Sequence, residues 1–111
     1  MFQIVWEFIV RADRVSDFEK SYAAAGDWAA LFRRSAGFLG TALLRDADHP
    51  RRYLTIDRWD AAASHATMRA RFAKEYEALD GACAGSDRIR APGGNFRRCL
   101  IFEPSPKCLK N

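Results

Sequence analysis

Residues 2–10, FQIVWEFIV, are β-branched and aromatic with no breaker, which predicts a strand. Both parities are largely apolar, with Glu7 the exception, so the strand is expected to be buried on both faces. Asp13 can cap a helix on which Val15, Phe18, Tyr22 and Ala25 recur at spacings of three and four. Gly26 closes that helix and Asp27 opens a short one, with Trp28, Leu31 and Phe32 on one side. After Gly37, residues 38–46 read as a second strand and DADHP as a turn. The stretch RRYLTIDRWD then alternates. Tyr53, Thr55, Asp57 and Trp59 fall on one side, and Leu54 and Ile56 on the other. Asp60 stops this strand. Ala61, His65, Met68, Phe72, Tyr76 and Leu79 follow as one helical stripe, with Arg69 and Arg71 mostly off it and Gly81 or Gly85 as its end. A last strand is expected near Ser86–Ala91 or around Asn95–Phe102.

The order β-α-β-β-α-β predicts an α+β, ferredoxin-like domain: a four-stranded antiparallel sheet with both helices on one side. Residues 1–102 are expected to form that single domain, and 103–111 a polar tail that frays. Leu54 and Ile56 are expected to pack under the helices. The Tyr53–Thr55–Asp57–Trp59 row would then lie bare, an apolar surface that a two-fold partner could cover, sheet against sheet.

Composition narrows the function classes. Of 111 residues, 49% are hydrophobic, enough for one core. Eight Phe, three Trp and three Tyr point to a large core, a dimer interface or an aromatic-walled pocket. The net charge is +4, but the pairs Arg33-Arg34, Arg51-Arg52 and Arg97-Arg98 are dispersed, which argues for an ordinary basic surface and against nucleic acid. Three cysteines without a C-x-x-C argue against a disulfide framework and a zinc site. No metal constellation and no phosphate-binding glycine loop is present. The apolar N-terminus carries Glu7 and is too short to span a membrane. A soluble cytoplasmic protein is expected.

With these elements in order, VWEFIVRADRVSDFEKSY, GDWAALFRRSAGFLGTALLRD and RRYLTIDRWD resemble the antibiotic biosynthesis monooxygenase family of the dimeric α+β barrel fold. The shared features are Phe18 and Tyr22 on the first helix, Gly37-Phe38-Leu39-Gly40 leading into the second strand, and Trp59 ending the third. The resemblance covers residues 3 to 80, and its motifs mark the fold more than the chemistry. It implies a homodimer with a small hydrophobic cavity between helices and sheet in each protomer. Some members oxidise polyaromatic phenols to quinones with dioxygen and no metal or flavin, and others bind and degrade haem. The haem-degrading members use an Asn on the first strand, a Trp ending the third and a His about three turns beyond. Here Trp59 matches, Trp6 and Glu7 stand where the Asn is wanted, and His65 is only six residues past Trp59.

Cofactor-free oxygenation asks for a base, a stabiliser of the substrate anion and aromatic walls that exclude water. His65 is the candidate base, with Trp59 and Tyr53 walling or bonding the substrate. Glu7 and Asp57, on neighbouring strands, could form an acid/base pair, although pairing of either with Arg52, Arg58 or Arg11 is simpler. By resemblance, the helix of Trp28 and Phe32 lids the cavity, and Phe38, Met68, Phe72 and Tyr76 form its floor and sides. Ordinary core packing explains the same aromatic residues. The alternatives are therefore a cofactor-independent monooxygenase acting on a small aromatic compound, a non-catalytic ligand-binding or stress-related dimer, and a haem-binding protein. An open pocket of a few hundred Å3 touching His65 and a carboxylate favours the first, and a cavity filled by side chains favours the second.

Overall fold

The computed structural model describes residues 1–87 and 96–102, with side chains described through residue 83. Strand β1 (Phe2–Ile9) leads through a single 3-10 turn (Ala12–Arg14) into helix α1 (Val15–Tyr22). Helix α2 (Asp27–Phe32), β2 (Phe38–Arg45), β3 (Arg52–Trp59), α3 (Ala62–Arg71), α4 (Ala73–Asp87) and β4 (Phe96–Phe102) follow. All strand pairings are antiparallel, in the order β2-β3-β1-β4. This is the α+β, ferredoxin-like arrangement. The Pro92-Gly93-Gly94 segment and the tail from residue 103 lie outside the described residues. Among the described residues no helix is long and apolar enough to cross a membrane.

The sheet faces are the reverse of the expected ones. Tyr53, Thr55, Asp57 and Trp59 are all buried, while Leu54 and Ile56 are only half-buried. The reason is the register with β1, where Trp59 pairs with Phe2, Asp57 with Ile4, Thr55 with Trp6 and Tyr53 with Phe8. These bulky side chains continue one row under the helices, and Phe8, Tyr53 and Trp59 are each at most 1% exposed. The uncovered face carries Val5, Leu54, Ile56, Ala42 and Leu44, of which Leu44 is 48% exposed. Glu7 also lies on that face, paired across the sheet with Leu54, and its carboxylate meets Arg52 Nη2 at 2.6 Å.

The long C-terminal stripe is two helices instead of one. The backbone at Phe72 leaves helical geometry (φ −112°, ψ 32°) and α4 starts at Ala73. Phe72 is buried there, with the Arg34 and Arg71 guanidinium groups 4.5 and 5.2 Å from its ring centre. The break redirects α4 so that Tyr76 packs edge-on against Trp28 of α2, 4.9 Å between ring centres. Neither Gly81 nor Gly85 ends α4, which runs to Asp87. Asp13, Asp27 and Asp60 cap no helix through their side chains. Asp27 accepts from Ser21 Oγ at 3.2 Å and Asp60 from Ser64 Oγ at 2.5 Å. Gly37 leads into β2 with φ +89°, and an added Cβ would lie 2.5 Å from both Asp60 Oδ1 and Ser64 Oγ, so the tight approach of β2 to α3 requires glycine.

Candidate functional site

Between the helices and the buried sheet face lies a cavity of about 270 Å3. Ile4, Trp6, Phe8, Thr41, Thr55 and Asp57 form its sheet wall. Tyr22, Trp28 and Phe32 from α1 and α2, and His65, Arg69, Tyr76 and Asp80 from α3 and α4, form the opposite wall. The β-strand alternation brings Ile4, Trp6 and Phe8 into one line, and the register sets Asp57 and Thr55 beside them. On α3, His65 and Arg69 are four residues apart and share the face turned to the cavity.

Asp57 is the most perturbed group in this wall. It is 8% exposed and accepts one hydrogen bond, from Thr41 Oγ1 at 2.9 Å, across the β2–β3 pairing. Burial in apolar surroundings pushes its pKa up from 3.8 to about 6, against the opposing pull of the Thr41 hydroxyl. A carboxylate poised near neutrality, in an aromatic-walled pocket, can both take and return a proton. His65 is half-buried against Phe2 and Trp59, with ring centres 5.9 and 5.4 Å away. Burial first, and the Arg69 charge second, hold its pKa below 6.5. At neutral pH it is therefore a neutral imidazole, able to donate one hydrogen bond and accept another.

The structure divides the residues singled out from the sequence. His65, Trp28, Phe32, Tyr76 and Asp57 line the cavity. Trp59, Tyr53, Phe38, Met68, Phe72 and Glu7 do not. Trp59 is fully buried behind it, packed on Phe32, Phe38 and His65, with its Nε1–H lacking an acceptor among the described residues. The Tyr53 hydroxyl donates to Glu19 Oε2 at 2.6 Å. Burial, reinforced by Glu19, raises the phenol to about 12, so it stays protonated as a structural strut between β3 and α1. Phe38 packs on Phe32 and Trp59, Met68 is fully buried and Phe72 supports the helix break. Glu7 is on the other sheet face, so it forms no pair with Asp57. Its partner Arg52 also bonds Asp46 at 3.1 Å.

Sequence reasoning missed Ile4, Trp6, Phe8, Tyr22, Thr41, Thr55, Arg69 and Asp80 as lining residues. Two had a legible signal. Arg69 is one helical turn from His65, and Thr41 lies opposite Asp57 once the hairpin register is drawn. Trp6 and Phe8 had the period-two signal of β1, masked because both parities of that strand are apolar.

Comparison with known proteins agrees with this architecture. A search of curated proteins finds no match to the sequence. Among solved structures, a Bordetella bronchiseptica protein assigned as an antibiotic biosynthesis monooxygenase superposes with a TM-score of 0.71 at 20% identity, covering 94% of this chain and 96% of its own. A similarly assigned protein from Nitrosomonas europaea gives 0.68 at 15% identity, covering 94% and 98%. SnoaB, a cofactor-independent oxygenase from Streptomyces nogalater, gives 0.66 at 23% identity in its N63A mutant form, covering 93% and 91%. At these identities the superpositions show a shared fold. The model of the antibiotic biosynthesis monooxygenase family matches residues 1–78, most of the chain, and the chain therefore belongs to that family.

Proposed function

We propose that the cavity is the active site of a cofactor-independent monooxygenase acting on a small, electron-rich aromatic compound of the phenol or hydroquinol type. The observation that carries this reading is a buried carboxylate, Asp57, with a pKa of about 6, in an aromatic-walled space that also holds His65. A core filled by side chains needs no such group, because burying a carboxylate without a cation costs stability. This favours the enzyme over a non-catalytic dimer. The likeness to SnoaB, described as a cofactor-independent oxygenase, supports the same reaction class.

Asp57, and not His65, takes the role of base. An anthrone-type substrate loses a proton from its ring CH2 to Asp57, and His65 hydrogen-bonds the oxygen on which the anion is delocalised. The anion reduces dioxygen and forms a carbon-bound peroxide. Loss of water from that peroxide leaves a quinone carbonyl. One oxygen atom enters the product and the other leaves as water. All four electrons come from the substrate carbon, so no external reductant is required. Trp6, Trp28, Phe32 and Tyr76 keep water from the anion. The pH profile of dioxygen consumption with such an anthrone tests the first step. The rate is expected to rise through about pH 6 as Asp57 ionises and to level off above it. A rate that does not change between pH 5 and pH 7 would contradict the assignment of Asp57.

The uncovered sheet face is the surface for a second copy, which would close the sheets into a dimeric α+β barrel. Proteins of this family are generally dimeric. Support comes from the apolar row of Val5, Leu54, Ile56 and Leu44, bordered by the Glu7–Arg52 pair. Ile56→Asp puts a charge into that row and is expected to halve the mass measured by light scattering. A dimer of unchanged mass would remove this face as the interface.

A further inference from the structure

We propose that Arg69 makes this cavity selective for aromatic substrates bearing a carboxylate, which it holds on the helix side while the reacting carbon faces Asp57 on the sheet. The inference rests on the reading of the cavity as an oxygenase site, and it adds the substrate class. Among the described residues, Arg69 is the sole Arg or Lys lining the cavity. Its guanidinium carbon sits 3.9 Å from the ring centre of Tyr76, so α4 braces the α3 side chain. A guanidinium resting by its face on a ring keeps its N–H donors at its edge, where they match the two oxygens of a carboxylate. Arg69 is itself exposed at the rim, but the cavity wall beside it is aromatic, from Tyr76, Trp28 and Phe32, so a charge pair there is partly shielded from water.

The charges also fix an orientation. Asp57 occupies the sheet wall and Arg69 the helix wall. An ionised substrate carboxylate is repelled by Asp57 and drawn to Arg69. The neutral, proton-donating part of the ring system is left to meet Asp57. A substrate without an acid would leave this arrangement unused.

Isothermal titration at neutral pH with a matched pair, a hydroxynaphthoate and the corresponding hydroxynaphthamide, tests the inference without turnover. Wild-type protein is expected to bind the acid about threefold to fivefold tighter than the amide, as befits one partly exposed charge pair. Arg69→Gln should bring the two affinities together by weakening the acid far more than the amide, with a melting curve like that of wild type showing that the variant is folded. Arg69→Lys should restore part of the preference, through charge without the fork. Equal binding of acid and amide by wild type, a preference that survives Arg69→Gln, or no binding of either ligand would overturn the inference. Acid preference that vanishes in Arg69→Gln, together with no dioxygen consumption by wild type, would refute the oxygenase reading and leave the carboxylate site standing. Dioxygen consumption with acid and amide bound alike would do the reverse.

Discussion

Asp57→Asn is expected to slow dioxygen consumption about 10²- to 10⁴-fold, the usual worth of a general base, while making the folded protein more stable above neutral pH. The two effects have one origin. Asp57 holds its proton more tightly in the folded chain, with a pKa of about 6 against 3.8 when exposed. Its contribution to stability is therefore fully present below about pH 3.8, where it is protonated in both states. That contribution is lost as pH rises through about 6, because ionisation favours the unfolded chain. The difference amounts to about 3 kcal/mol by pH 8. The Asn variant has the same shape and can still accept from Thr41, but it carries no charge to bury. Melting curves should coincide for the two proteins near pH 4 and diverge above pH 6, with the variant melting roughly 10 °C higher at pH 8. A gap that does not grow with pH would show that Asp57 is not perturbed by burial. Full activity in the variant would show that another group takes the proton.

Trp59→Ala is expected to cost about 3–5 kcal/mol of folding stability, a large part of the total for a domain of this size. Trp59 is fully buried and surrounded by Phe32, Phe38 and His65. It is the post on which two cavity residues, Phe32 and His65, lean. The loss should appear as a lower denaturant midpoint at unchanged m-value. Trp59→Phe separates packing from chemistry. It keeps a ring in place and removes an indole N–H that has no acceptor among the described residues, which offsets part of the lost volume. The Phe variant should therefore fall within about 1.5 kcal/mol of wild type and keep its activity. Lost activity at an unchanged melting temperature would move Trp59 from the supporting packing into the site.

Much of the α+β arrangement was legible in the sequence, because each element has its own period and punctuation. The β1 run, the DADHP turn and the RRYLTIDRWD alternation fall where the structure has them, whereas α1 already ends at Tyr22 and α2 at Phe32, short of the expected Gly26 and Gly37 stops, and Gly26 instead precedes α2 as its N-cap. In the turn, Asp46 accepts from the Asp48 backbone N–H at 2.8 Å, the local bond that makes Asp a turn residue. The choice of sheet face was not legible from β3 alone. Alternation defines two rows but not which one is inside, and a Tyr–Thr–Asp–Trp row looks poor for a core. The deciding signal lay on β1, where Gln3 and Glu7 share one parity and Phe2, Ile4, Trp6 and Phe8 share the other. Carried across the antiparallel register, that parity sends Asp57 inward. The break at Phe72 left no mark either, since no Gly or Pro stands there and the stripe continues through it. It follows from tertiary packing between α2 and α4. The same break places Tyr76 against both Trp28 and Arg69, so the helix wall of the cavity depends on a feature with no local sequence signal.

The central claim is that this cavity performs oxygen chemistry with amino-acid side chains alone. The most direct measurement is dioxygen uptake on an electrode by protein dialysed against a chelator, with a hydroxylated anthrone as substrate and heat-treated protein and Asp57→Asn as controls. The account predicts saturable uptake, one dioxygen per quinone formed, unchanged by added metal ions or flavin and nearly absent in Asp57→Asn. Uptake no faster than in the heat-treated control, or uptake that appears only when a metal or flavin is added back, would contradict it.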